Sequence, residues 1–165
     1  PIADSKNKSR YKSTCLDKAA LIGMTIAKAT NADVIRFGSN SEYVSYNSNS
    51  DVFTLAKSVI KDMGMTSLSS AWSTASASNR KYDRVFILSD NECNRGSSYS
   101  AYSKYVKNVG NPYVYSIDMA SYGTTALAGP NVRYYFGYGY SMFEDIAKSE
   151  FNPSYHIDKI RKIEI

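Results

Sequence analysis

The sequence predicts an α/β fold, an open and mostly parallel doubly wound sheet with helices on both faces, and three observations carry that expectation. Apolar segments of strand length alternate with helix-length segments through the chain. The stretch Asp83 to Glu92 is an apolar run, Val85-Phe86-Ile87-Leu88, that ends in the Asp90 carboxylate beside Ser89 and Asn91. A buried parallel strand that delivers an acid to the sheet edge is where α/β proteins place ligand chemistry. The first helix is apolar nearly all round, so it needs a sheet to cover it.

Residues 1 to 12 are polar and charged without periodicity and read as a loop. From Ser13 or Thr14, either of which can cap, a helix runs to about Ala29, with Asp17 favouring its positive end. Asp33 to Gly38 and Glu42 to Tyr46 read as strands, and the link Gly38-Ser39-Asn40-Ser41 is short enough for an antiparallel hairpin whose second strand is a sheet edge. Asn47 to Ser50 is a turn cluster, and Asp51 to Met63 is an amphipathic helix with Lys57 and Lys61 outside. Gly64-Met65-Thr66-Ser67 interrupts it, and Leu68 to Ala77 restarts a helix containing Trp72. After the Asp83 strand come a Gly96-containing loop, a helix near Tyr99 to Asn108, a strand at Tyr113 to Asp118, a loop of small residues, a strand near Val132 to Phe136, a helix at Ser141 to Lys148 and a short amphipathic tail, Ile157 to Ile165. Residues 1–165 read as one domain.

Composition excludes several classes. A chain of 165 residues buries roughly 70% of its unfolded surface, so no disulfide or metal staple is obligatory. Only Cys15 and Cys93 occur, without CxxC spacing, and His156 is the single histidine; neither a closed zinc site nor a His-based triad is expected within one chain. The thiols read as unpaired in a reducing compartment, which makes the cytoplasm the default residence. No segment is apolar enough for a membrane span and no signal peptide opens the chain. The net charge of +5 is unclustered and permits, without indicating, contact with nucleic acid. Fifteen tyrosines suit half-buried strands better than a dedicated binding surface.

The residues that could carry chemistry sit in two places. The loop Met63-Gly64-Met65-Thr66-Ser67 joins a glycine to hydroxyls at the mouth of a helix, and Asp90 ends a strand. Mg²⁺ or Mn²⁺ accepts hydroxyl oxygens together with one or two carboxylates and keeps water elsewhere, so Thr66 and Asp90 are the candidate ligands. The plain alternative makes Thr66 to Ser70 an N-cap and Asp90 a turn cap. Ser89, Asn91 and Glu92 could orient a metal-bound water. Asp118 and Ser121 read as loop caps, and His156 as a surface residue.

Gly64-Met65-Thr66 resembles the Gly-Gly-Thr loop of von Willebrand factor A domains, and Phe86-Ile87-Leu88-Ser89-Asp90-Asn91-Glu92 resembles their metal-bearing strand end. The Ser89-Asp90-Asn91-Glu92 sequence is most similar to the C-terminal A domain of Ro (TROVE-type) RNA-binding proteins. The helix Cys15 to Lys28 followed by Ala32 to Gly38 also fits, as does the order of elements through Ile165. The resemblance implies a partial metal-ion-dependent adhesion site, an acidic group of a protein partner at the metal, and RNA as an associate of the wider ribonucleoprotein. One departure stands out: the apolar first strand and its Asp-x-Ser-x-Ser loop are missing, and Asp4-Ser5-Lys6-Asn7-Lys8-Ser9 has the wrong spacing and no strand before it.

In that family the missing strand lies between the one holding Val34 and the one holding Phe86. Its removal leaves these neighbours two strand spacings apart, about 10 Å, with unpaired amides on each side. Such unsatisfied groups cost about 1 to 3 kcal/mol each, so an upstream segment or another chain is expected to fill the gap. Direct pairing of the Val34 and Phe86 strands would overturn this. Three functions follow: a cation-assisted binding module; a structural component of a larger assembly, including a viral one, with an incomplete metal site; and a Mg²⁺-dependent phosphohydrolase with Asp90 as nucleophile and Asp118 as second acid. The last lacks a basic residue in a recognisable pattern, so the chain reads as a non-enzyme.

Overall fold

The structure is a computed structural model and describes residues 13–90, 97–120, 125, 127–152 and 154–162, with only the backbone at 156. The loop expected at 1–12, the candidates Asn91 and Glu92, Cys93, Ser121 and the His156 side chain lie outside the described residues.

Helix α1 spans Cys15–Thr30, and Thr14 closes it with a full capping box: its hydroxyl accepts from the Asp17 N–H at 3.1 Å while the Asp17 carboxylate accepts from the Thr14 N–H at 2.8 Å. Asn31, in the left-handed region at φ 52°, ends it. Strands β1 (Val34–Phe37) and β2 (Ser41–Val44) form the expected antiparallel hairpin, in register Phe37 with Ser41 and Val34 with Val44, and β2 is its outer edge.

Helix α2 spans Val52–Val59, capped by the Asp51 carboxylate, and stops four residues short of the expected Met63. Tertiary contacts explain the early stop. The Ser39 N–H donates to the Met63 carbonyl at 2.7 Å, and the Met65 N–H to the Ser39 hydroxyl at 3.1 Å, so 60–65 is drawn out to meet the hairpin turn. Gly64 takes φ 74° there. Helix α3 (Leu68–Ser78), strand β3 (Arg84–Ser89), helix α4 (Ser98–Asn108), and strands β4 (Tyr113–Asp118) and β5 (Val132–Phe136) match their expected places. Helix α5 (Tyr140–Phe151) runs longer than expected, and the tail forms a short helix α6 (Tyr155–Arg161).

The strands form two sheets. β3, β4 and β5 make a parallel sheet in that order, and β1 and β2 make the separate pair. A single continuous sheet is therefore not what the described residues build, yet the helical layers continue across the division. Leu68, Trp72 and Ala75 of α3 pack with Ile87 and Val114 on one side of the parallel sheet, and Ile35 and Phe37 of β1 join the same cluster. On the other side α1 buries Met24 and Ala27 against Val34 and Val44, while its Ala19 and Ile22 meet Phe86, Leu88, Tyr115 and Ile117. Odd-numbered residues of β1 and β3 thus face α3 and even-numbered ones face α1, the period-2 alternation of one pleated layer. Helices α1 and α3 span the break between the sheets like two plates.

Candidate functional site

The break between the sheets is a cavity of about 910 Å³. All four residues of β1 and all six of β3 line it. Because successive strand side chains alternate between faces, lining by every residue means that the cavity meets the strand edges and not one face. Its walls are helical: Ala20, Gly23, Met24 and Ala27 of α1 on one side, Leu68, Ala71, Trp72 and Ala75 of α3 on the other. Burial reports the same opening. The middle strand β4 is almost wholly buried from Val114 to Asp118, whereas β3, which would be equally interior in a continuous sheet, is only half-buried.

The two edges run in the same direction. Asp33, just ahead of β1, meets residues just ahead of β3: its carboxylate accepts from the Tyr82 hydroxyl at 2.8 Å and pairs with Arg80 at 2.8 Å. At the far end, the Cys15 thiol at the start of α1 donates to the Met119 carbonyl at 3.7 Å, so α1 begins beside the carboxyl end of β4 and returns to the amino end of β1. The Ser70 hydroxyl reaches the Gly38 carbonyl at 3.5 Å, which sets the start of α3 at the carboxyl end of β1. Thr66, two residues ahead of α3, and Asp90, directly after β3, therefore share the carboxyl-end mouth, and both line the cavity with Ser89 and Met119.

The local structure at that mouth differs from simple capping. Ser67, not Thr66, is the N-cap of α3, and its hydroxyl bonds to that of Ser69 at 2.9 Å instead of a helix N–H. The Ser89 hydroxyl donates to Asp90 Oδ1 at 3.4 Å. Asp118, at the same level on β4, is fully buried, and its Oδ1 accepts from the Ala120 N–H at 2.9 Å, the loop-cap role expected of it. Among the described residues no three His, Cys, Asp or Glu side chains gather into a metal-binding group. Among the described residues the mouth holds the Thr66 and Ser89 hydroxyls and the Asp90 carboxylate, part of the oxygen set a hard cation takes.

The opposite, amino-end mouth is a charged clasp that sequence reasoning missed. Arg80 bonding, then the Tyr82 hydroxyl, hold the Asp33 carboxyl below the usual carboxylate range. Burial, then hydrogen bonds to Tyr43 and Asp33, push the Tyr82 phenol upward. Tyr43 and Tyr82 hydroxyls stand 2.9 Å apart, and the Arg80 guanidinium lies 4.8 Å over the Tyr43 ring. No spacing in the sequence couples Asp33 to residues nearly fifty positions away. Trp72, placed correctly on its helix, has a further property only the fold reveals: it is 3% exposed, lines the cavity, and its indole N–H has no partner among the described residues.

No helix among the described residues is long and apolar enough to cross a membrane. Comparison of the chain with protein-family models, with curated proteins and with solved structures returns no match.

Proposed function

We propose that the chain is a binding module of the A-domain type, in which Thr66 Oγ1 and the Asp90 carboxylate hold part of the shell of a Mg²⁺ or Mn²⁺ ion. An open coordination position then takes an acidic group from a protein partner. One observation carries this reading: Thr66, Ser89 and Asp90 line one mouth of one cavity at the carboxyl ends of β1 and β3, the position at which α/β sheets receive ligands. The α/β/α layering with an antiparallel outer pair supports the A-domain reading at the level of the fold. Two protein oxygens do not fill the octahedral shell of Mg²⁺, so waters or further ligands occupy the remainder. Association with a Ro-type ribonucleoprotein, and any contact with RNA, are carried by the sequence resemblance alone.

The divided sheet favours a second reading, a structural part of a larger assembly whose metal site is incomplete, since its open edges suit completion by a partner. Titration calorimetry with MgCl₂ and MnCl₂ separates the two. Saturable binding that is lost in Asp90→Ala and weakened in Thr66→Ala supports the binding module; no binding at millimolar metal supports the structural part.

A further inference from the structure

We propose that the slot between β1 and β3 is the seat of a further strand, an apolar segment of about six residues that belongs to the same polypeptide ahead of residue 1 and runs parallel to both neighbours. This goes beyond the cation reading and stands or falls without it.

The hydrogen-bond alternation identifies what the strand must satisfy. The Asp83 carbonyl accepts from the Tyr113 N–H and the Ser89 carbonyl from the Met119 N–H, so odd-numbered backbone groups of β3 face β4. Those of Arg84, Phe86 and Leu88 face the slot. On the hairpin, Gly38 bonds to Asn40, which makes Arg36–Glu42 and Val34–Val44 the bonded pairs. Ile35 and Phe37 then face the slot. Two edges thus confront each other across the cavity, and one inserted strand satisfies both. A strand added outside β2 or β5 would satisfy one edge and bury one face at most.

The walls specify its side chains. Both walls are apolar, with the small residues Ala20, Gly23 and Ala27 of α1 and Ala71 and Ala75 of α3 interspersed with Met24, Leu68 and Trp72, so they suit apolar side chains on both faces of the occupant. Of the charges at the rim, Arg36 and Lys61 are paired with Glu42, Arg84 with Glu150 and Asp33 with Arg80, and the other two acids of the lining, Asp62 and Asp90, lie outside the β1 and β3 strands. The middle of the occupant is therefore uncharged. The outer edge strands of a second copy do not meet this description, because β2 reads Ser41-Glu42-Tyr43-Val44 and β5 reads Val132-Arg133-Tyr134-Tyr135-Phe136, each with a charged residue. Trp72 supplies an independent sign, a buried indole N–H beside the slot that has no acceptor among the described residues.

Direction selects the source. A strand parallel to β3 leaves the slot at the carboxyl-end mouth, where Thr14 begins α1. Residues 1–12 are too polar to be the strand, with Ile2 and Ala3 their only aliphatic pair. Twelve residues extend to about 40 Å, ample to lead from that mouth into α1.

The test compares three proteins: residues 1–165 alone, the same chain with a six-residue alternating valine–isoleucine segment fused ahead of Pro1, and a control fusion of serine and asparagine. Amide exchange at Ile35, Phe37, Phe86 and Leu88 is expected to slow at least a hundredfold in the valine–isoleucine fusion only, with a change in Trp72 emission. Equal exchange in both fusions overturns the proposal, as does protection confined to β2 or β5. Protection that grows with concentration in the unfused chain overturns it in favour of a second copy. Ala71→Phe in the unfused chain provides a measurement that needs no fusion. An open slot accepts the ring, and Tm holds or rises; a fall of about 4 °C or more signals a closed core and overturns the proposal.

Discussion

The Tyr82 hydroxyl donates to Asp33 Oδ2 at 2.8 Å, joining the residue that introduces β1 to the turn that introduces β3. Since β1 and β3 do not pair with each other among the described residues, this bond and the Arg80–Asp33 pair are polar ties across the amino end of the slot. They align two strands that no backbone ladder aligns.

Tyr82→Phe removes that tie and leaves Tyr43 and Asp33 to water or Arg80. A loss of about 1 kcal/mol is expected in urea unfolding, with faster amide exchange in β1 and β2 than in β4. Burial and hydrogen bonding raise the Tyr82 phenol, so its contribution is present below the ordinary tyrosine value of about 10 and is lost as pH climbs above it. The wild type should therefore lose stability in alkali more steeply than Tyr82→Phe.

Glu150 of α5 ties that helix to the parallel sheet. Its carboxylate accepts from Arg84 Nε at 2.7 Å and from the Tyr115 hydroxyl, while its side chain is only 9% exposed. Arg84 bonding, followed by that of Tyr115, holds its carboxyl pKa below the usual glutamate range even though burial opposes this. A depressed carboxyl stabilises above its unfolded value, about 4.3, and that contribution disappears as pH falls through the folded value. Glu150→Gln should cost about 2 kcal/mol at pH 7 and flatten the acid limb of a Tm-against-pH curve below about pH 4.5.

Gly38→Ala tests how the hairpin holds the Thr66 loop. A Cβ at Gly38 would stand 2.5 Å from the Met63 carbonyl oxygen and 2.4 Å from its Cβ, contacts that only a backbone shift relieves. A cost of about 1 to 3 kcal/mol is expected. The Ser39 amide, bonded to Met63 at 2.7 Å, should lose exchange protection before any other amide in the hairpin.

Gly23→Ala reports on the slot itself. The added Cβ meets Leu88 Cδ1 at 3.1 Å, and Leu88 lines open space into which its methyl group can turn. The gain in helix propensity, up to about 1 kcal/mol, should then appear as a higher Tm in the chain alone. With the slot filled by a fused strand the methyl has nowhere to go, and the same substitution should lower Tm.

Local signals made most elements legible. Ser13 or Thr14 offered a cap and Asp17 a favourable first-turn charge, which the structure joins into a capping box at Thr14; Tyr113 to Asp118 and Val132 to Phe136 read as strands, and Asp90 stood visibly at a strand end. Helix α2 was overextended because its last turn is amphipathic by pattern, while the bonds from Ser39 and Met65 that unwind it come from the hairpin turn and the Ser39 hydroxyl. Thr66 and Asp90 were legible as residue types in a pattern; that they share one mouth depends on the common direction of β1 and β3.

The sequence by itself determined the alternation of strands and helices, the apolar character of β3 and β4, and the polar oxygens at the loop ends, because these follow from side-chain periodicity and capping within a few residues. Only the tertiary structure decided that the strands divide into two sheets, that α1 and α3 bridge the division, and that Tyr82, Asp33 and Arg80 clasp its amino end. Those relationships join residues that nothing in local periodicity relates, and they exist because backbone edges and apolar helix faces must find partners wherever the folded chain offers them.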